Sequence, residues 1–230
     1  MGIKYKVNYN FFKTWSKQMA YVLGCLYSDG SLENSPYIRG KYVRFSSTEY
    51  DFVKNIRRLM GSEHTITKFE AYDNRKEIYR LRIGSHSLYN DLEALGLFPN
   101  KSLTIGFPEV PASYLADFIR GYLDGDGSVI IEKYKKDSDN RRLKAIFTSG
   151  SKRFLESLDK YLQDYCCIDG PNLYNSHNSY QLVYRSWKAK KVLEFIYKNV
   201  KVTLYLKRKY FTYKKAIKEL KFKHQGDVPK

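Results

Sequence analysis

The chain has 230 residues, 43% of them hydrophobic, and 41 Lys and Arg against 24 Asp and Glu give it a formal net charge of +17. No transmembrane run or lipidation signal accompanies this charge, and its three cysteines (Cys25, Cys166, Cys167), lacking CxxC spacing or matching His pairs, argue against zinc and against a disulfide framework. Such a length allows one large domain or two small halves, and the basic excess points to nucleic acid, since neutralising phosphates releases counterions. The excess is uneven: +5 falls in residues 1–110 and +12 in residues 111–230, with 14 Lys or Arg against three acids after Trp187.

In chain order, the first informative stretch is Tyr21-Val-Leu-Gly-Cys-Leu-Tyr-Ser-Asp-Gly30, an apolar helical run with a central Gly and an Asp-Gly end. Strand-like patterns follow at 37–47, 64–72 and 77–84, with helical periodicity at 48–60 and 87–95. The segment Phe107-Pro-Glu-Val-Pro111 reads as a linker, because its prolines break regular structure. The motif then recurs 97 positions after the first as Phe118-Ile-Arg-Gly-Tyr-Leu-Asp-Gly-Asp-Gly127. Strands are expected at 128–134, 142–149, 172–174 and 180–184, with helices at 152–165 and 188–197. In the last helix Leu206, Tyr210, Tyr213, Ile217 and Leu220 form an apolar stripe, leaving Lys207, Arg208, Lys209, Lys214 and Lys215 outside it. Most of the 22 Tyr and 13 Phe fit core spacing. Residues 223–230 are expected to be disordered.

The series of elements after each motif is similar, and Tyr79-Arg-Leu-Arg-Ile-Gly-Ser85 resembles Tyr180-Gln-Leu-Val-Tyr-Arg-Ser186 at an offset of 101. An internal duplication with halves at 1–106 and 112–222 follows. In the motifs, Ala20, Gly24 and Ser28 share one helix face, as do Gly121 and Gly125. A helix pair meeting on such faces approaches closer than the usual separation and converges at Asp29 and Asp126. Gly30 and Gly127 suit the left-handed residue that commonly ends a helix. Two acids at the negative ends of two helices must share a proton or bind divalent cations, and hard oxygen ligands suit Mg²⁺, with Mn²⁺ or Ca²⁺ able to substitute in binding.

Strand alternation separates Tyr79, Leu81 and Ile83 from Arg80 and Arg82, and Leu143, Ala145 and Phe147 from Arg142 and Lys144. The candidate DNA-binding cations are Arg39, Lys41, Arg44, Lys68, Arg80, Arg82, Lys133, Arg142, Lys144 and Arg185. Arg reads guanine bidentately, while Lys more often meets phosphate. The four histidines show no metal spacing.

The paired motifs resemble the signature of the LAGLIDADG homing endonucleases. The first copy departs from the pattern with Tyr27 where the second has Asp124, an acid that is not the family's metal ligand. The resemblance implies an α+β fold of two pseudo-symmetric halves, each a helix-packed antiparallel sheet, joined through the motif helices, with the sheets forming a DNA-binding saddle. It also implies a monomeric site-specific nuclease that cuts both strands of an asymmetric duplex across the minor groove and leaves short 3′ overhangs. Asp29 and Asp126 would bind the catalytic metal, with Ser28 and Gly125 in the metal set. A peripheral lysine in each half would stabilise charge: Lys101 in the first, Lys207 or Lys209 in the second. Ser47 and Ser149 would position water. The rival reading is an RNA-binding intron maturase or a non-cleaving DNA binder on the same scaffold. A cytoplasmic, nucleoid-associated site or an organellar matrix or stroma fits either function. With no splicing-domain sequence flanking the motifs, an intron-encoded or free-standing origin is expected over an intein.

Overall fold

The structure is a computed structural model that describes residues 5–35, 37, 40–71, 76–134, 140–170, 173–201 and 203–222. Arg39 and the tail from 223 therefore lie outside the described residues. The first motif forms α1 (Lys17–Asp29), whose N-terminus is capped by the Ser16 hydroxyl accepting from the Met19 amide. It runs straight into β1 (Gly30–Ser35), followed by β2 (Gly40–Ser47), α2 (Tyr50–Leu59), β3 (Ile66–Phe69), β4 (Ile78–Gly84) and α3 (His86–Ala94). A 3-10 turn, Lys101–Leu103, precedes a stretch at 105–111 without helix or strand. The second motif forms α4 (Ala112–Asp126), then β5 (Gly127–Lys133), β6 (Arg141–Ser149), α5 (Lys152–Cys166), β7 (Leu173–Ser176), β8 (Ser179–Arg185), α6 (Ser186–Tyr197) and α7 (Lys207–Glu219).

Both sheets are antiparallel and four-stranded, in the orders β1-β2-β4-β3 and β5-β6-β8-β7. The repeated order makes the molecule an α+β protein of two like sheets, as expected. Registers match as well: Gly30 faces Phe45, which faces Leu81, and Gly127 faces Phe147, which faces Leu182. Leu32, Val43, Phe45, Leu81 and Ile83 of the first sheet are buried under helices, as are Leu143, Ala145, Phe147, Leu182 and Tyr184 of the second. Their alternate residues form an outer face on each sheet.

The sequence reading missed β1, whose Gly-Ser-Leu-Glu-Asn-Ser carries one apolar side chain and no β-branched residue; pairing with β2 makes it a strand. Gly30 and Gly127 are also not left-handed: at φ −90° and −109° both are extended and lead directly into strands. Their need for glycine is steric, since a Cβ on either would lie 2.6 Å from the carbonyl oxygen of Leu26 or Leu123. Phe107 in the expected linker packs against Phe118, Phe154 and Tyr161, which ties this stretch to the core.

Candidate active site

The helices α1 and α4 meet on their glycines. A Cβ on Gly24 would lie 2.1 Å from the Phe118 carbonyl oxygen, and one on Gly121 would lie 2.0 Å from that of Tyr21. At the end of the pair, a Cβ on Gly125 would lie 1.9 Å from Ser28 Oγ and 2.7 Å from Asp29 Oδ2. The Asp29 carboxylate thus lies against the opposite helix, beside the residue that precedes Asp126.

Burial pushes the Asp29 carboxyl up to about 7, and the charge of Asp126 adds to the rise. Burial raises Asp126 too, while the ammonium groups of Lys101 and Lys209 pull both acids back down. These lysines are buried and placed alike. Lys101 Nζ donates to the carbonyls of Tyr27 (2.7 Å) and Ser28 (3.2 Å), and Lys209 Nζ to those of Leu123 (2.6 Å), Asp124 (2.7 Å) and Gly125 (3.3 Å). Each ammonium satisfies the orphan carbonyls that end its own half's motif helix and offsets the negative end of the helix dipole. That is how two acids are held where the dipoles disfavour them. Burial lowers the pKa of both lysines, that of Lys209 to about 8.

Lys209, expected outside the apolar stripe of α7, is buried on the same face of that helix as Ala216, and its tip reaches α4. Lys207 is exposed on α7 and does not take the place matching Lys101. We expect Lys209→Met to lower stability by about 2 kcal/mol by orphaning buried carbonyls, and Lys207→Met to change it by under about 0.5 kcal/mol, as read by denaturant titration.

The odd residue of each motif closes its helix end. Asp124 is buried and accepts from the Tyr21 hydroxyl (2.9 Å) and the Leu206 amide (2.7 Å), whereas the Tyr27 hydroxyl donates to the Leu95 carbonyl (2.7 Å). Ser47 and Ser149 each accept from a backbone amide two residues on, capping a turn. An open cleft of about 290 Å³ beside Asp29 is lined by Gly125, Ser46, Ser47, Glu49 and Arg208, among others. Arg208 crosses from the second half to pair with Glu49 at 2.7 Å, a contact with no signal in the sequence.

Among the described residues no group of three or more His, Cys, Asp or Glu forms a cage for a metal. Two carboxylates with backbone carbonyls beside them fit a hard divalent ion whose shell is completed by substrate oxygens and water. The Ser28 and Gly125 carbonyls already accept from lysines, and each keeps a second lone pair.

Without a divalent ion, stability is expected to fall as pH rises from about 4 to about 7. The folded state binds protons at Asp29 that the unfolded chain has released, so the native acid, its pKa raised, is penalised once ionised. The Asp29 contribution is on the order of 1–4 kcal/mol; Asp29→Asn flattens the profile, and added Ca²⁺ restores stability at pH 8. Thermal melts across pH check this.

Of the ten cations expected to face DNA, six lie on the outer faces: Arg44, Arg80, Arg82, Arg142, Lys144 and Arg185. Three do not. Lys41 donates to Asn90 Oδ1 on α3, Lys68 pairs with Glu70 and Glu77 in register with Tyr79, and Lys133 alternates with Glu132. Strand parity puts all three on the helix-packed side. Arg39 lies outside the described residues. The sequence reading overlooked Glu33 and Glu132 on the outer faces, where each holds two of the cations.

The fold and the site define a class: single chains in which two like sheets flank a glycine-packed helix pair with a carboxylate at each tip. Residues 113–196 match the family model of the LAGLIDADG-like domain. The whole chain has the fold of I-CpaMI (TM-score 0.56, 14% identity, 89% of this chain and 92% of that one), I-WcaI (0.59, 10%, 89% and 90%) and I-LtrWI (0.57, 12%, 92% and 92%), all solved with DNA. The second half of the chain thus matches the LAGLIDADG-like domain, and both halves share the fold of these solved proteins. The chain is also 28% identical over 164 residues to an uncharacterized protein of Methanocaldococcus jannaschii, MJ0314 (66% of this chain, 58% of that protein). A second match, 30% identical over 111 residues, is to an A-type ATP synthase protein of Methanopyrus kandleri (48% of this chain, 10% of that protein). The chain thus spans 58% and 10% of the lengths of these two relatives.

Proposed function

We propose that this protein is a site-specific endonuclease that hydrolyses both strands of duplex DNA with Mg²⁺, leaving short 3′ overhangs at an asymmetric target. The observation that carries this reading is the pair of carboxylates at the tips of the glycine-packed helices, each with a buried lysine behind it. In this reading residues 1–106 and 112–222 form the halves, and each half serves one strand. Asp29 and Asp126 hold the cation, which when bound supplies an activated water and neutralises charge on the leaving oxygen. Lys101 and Lys209 keep the acids in place and add positive potential where the phosphorane's charge grows. The outer-face cations hold the duplex, and the DNA complexes of the solved proteins that share this fold support this partner.

Selection of ligands with Ca²⁺ from equal pools of random duplex DNA and structured RNA tests the partner. Enrichment of one long duplex sequence, cut when Mg²⁺ replaces Ca²⁺, is expected. Enrichment of RNA over duplex would transfer the fold to an RNA-binding role.

A further inference from the structure

A carboxylate on a surface that must meet phosphates is unfavourable unless it has a task, and each sheet carries one. On the first, Glu33 lies 2.5 Å from Arg44 Nη1 and 2.8 Å from Arg82 Nε. Arg44 and Arg82 are directly opposite each other on β2 and β4, a like-charge pair that repels unless a counter-charge sits between them. The Arg82 guanidinium also stacks on Tyr42, 3.4 Å from the ring centroid. On the second sheet Glu132 lies 2.7 Å from Arg142 Nη2 and 3.4 Å from Lys144 Nζ, and Arg142 lies over Tyr134.

A single exposed ion pair would hold little in place, but here one carboxylate is shared by two cations and an aromatic ring fixes one plane. An arginine held along one edge keeps its remaining N–H groups for a second planar acceptor, which suits guanine O6 and N7 better than a phosphate approached from any side. Resting on the DNA-binding reading above, we infer that Glu33 and Glu132 are specificity-determining positioning residues: they orient Arg82 and Arg142 toward guanine edges and withhold Arg44 and Lys144 from non-specific phosphate contact.

The two clamps are not at equivalent places. Glu33 is three residues beyond Gly30, whereas Glu132 is five beyond Gly127. The registers put Ile130, Ile146 and Val183 where the first sheet has Glu33, Arg44 and Arg82. Each residue along a strand spans about 3.4 Å, which is about one base pair of duplex. Arg82 lies level with Ser31, one residue beyond Gly30, and Arg142 lies level with Glu132, five beyond Gly127, so the guanine read by Arg142 lies about four base pairs farther from the centre of the target than the one read by Arg82. The apolar trio nearer the centre of the second half suits thymine methyl groups.

The test is duplex selection with the full-length protein and its Glu33→Gln and Glu132→Gln variants, followed by binding at several salt concentrations. Wild type is expected to prefer guanine at one position in each half-site. Each variant should lose about ten-fold of that preference at its own position only, the two positions differing by about four base pairs in distance from the centre. Non-specific affinity should rise, and the slope of log K against log salt should steepen by about one for each cation released to phosphate. Unchanged preference and slope in variants of a selective wild type would overturn the clamp and leave the nuclease reading intact. A wild type that selects no duplex would defeat that reading, and the clamp with it.

Discussion

Asp29→Asn and Asp126→Asn are each expected to abolish double-strand cleavage, at least about 10³-fold, with duplex affinity unchanged within a few-fold. Asn keeps the shape of the side chain and removes the charge that holds the cation. A nick in one strand is the most that either variant should retain. For Asp29→Asn the expected sign of the stability change is opposite to a loss of fold: burial and the charge of Asp126 raise the pKa of Asp29 to about 7, so removing its charge at pH 8 relieves the apo protein, and burial raises Asp126 in the same direction. A variant that melts higher without metal, binds the duplex and does not cut it would separate chemistry from folding. Full cleavage by either variant would remove that carboxylate from the mechanism.

The second large effect is expected at the helix seam. Gly121→Val should cost more than about 4 kcal/mol, since even the first carbon of the new side chain would meet the Tyr21 carbonyl oxygen at 2.0 Å. That atom belongs to a helix backbone and cannot rotate away, so α1 and α4 must separate along a seam where Tyr21 and Cys25 meet Gly121 and Phe118 and Tyr122 meet Gly24, all in the core. Gly24→Val meets the Phe118 carbonyl in the same way. For a chain of this size the loss corresponds to a fall in melting temperature of roughly 10 °C or more. Gly106→Ala is the control: its new methyl carbon would have only Arg153 nearby, at 3.8 Å, and should shift the melt by a degree or two. Equal melts for Gly121→Val and Gly106→Ala would mean that the helices do not meet on these glycines.

Much of this was legible in the sequence for physical reasons that can be named. Glycines four apart on an apolar helix leave few options except close contact, and alternation along β4 and β6 divided core from solvent because those strands have one buried face. The polar strand β1 was hidden, since its six residues show no alternation strong enough to register without the partner strand. Losing β1 also hid Glu33, whose role depends on knowing which face it occupies. The lysine that caps α4 could not be chosen from sequence. Lys207 and Lys209 differ by about half a turn on α7, and only the packing of that helix on the second sheet turns one of them toward the tip of α4. Lys41, Lys68 and Lys133 show the converse: a basic residue in a basic strand looks like a DNA contact until register assigns it to the helix side.

The most direct measurement is single-nucleotide mapping of both strands' ends after cleavage of the selected duplex, with Mg²⁺ and with chelator. The expected result is one cut per strand at fixed positions, offset to leave uniform short 3′ overhangs, and no cut with chelator. Ends scattered along the duplex, or cuts that persist in chelator, would contradict the assignment of two carboxylates to two strands.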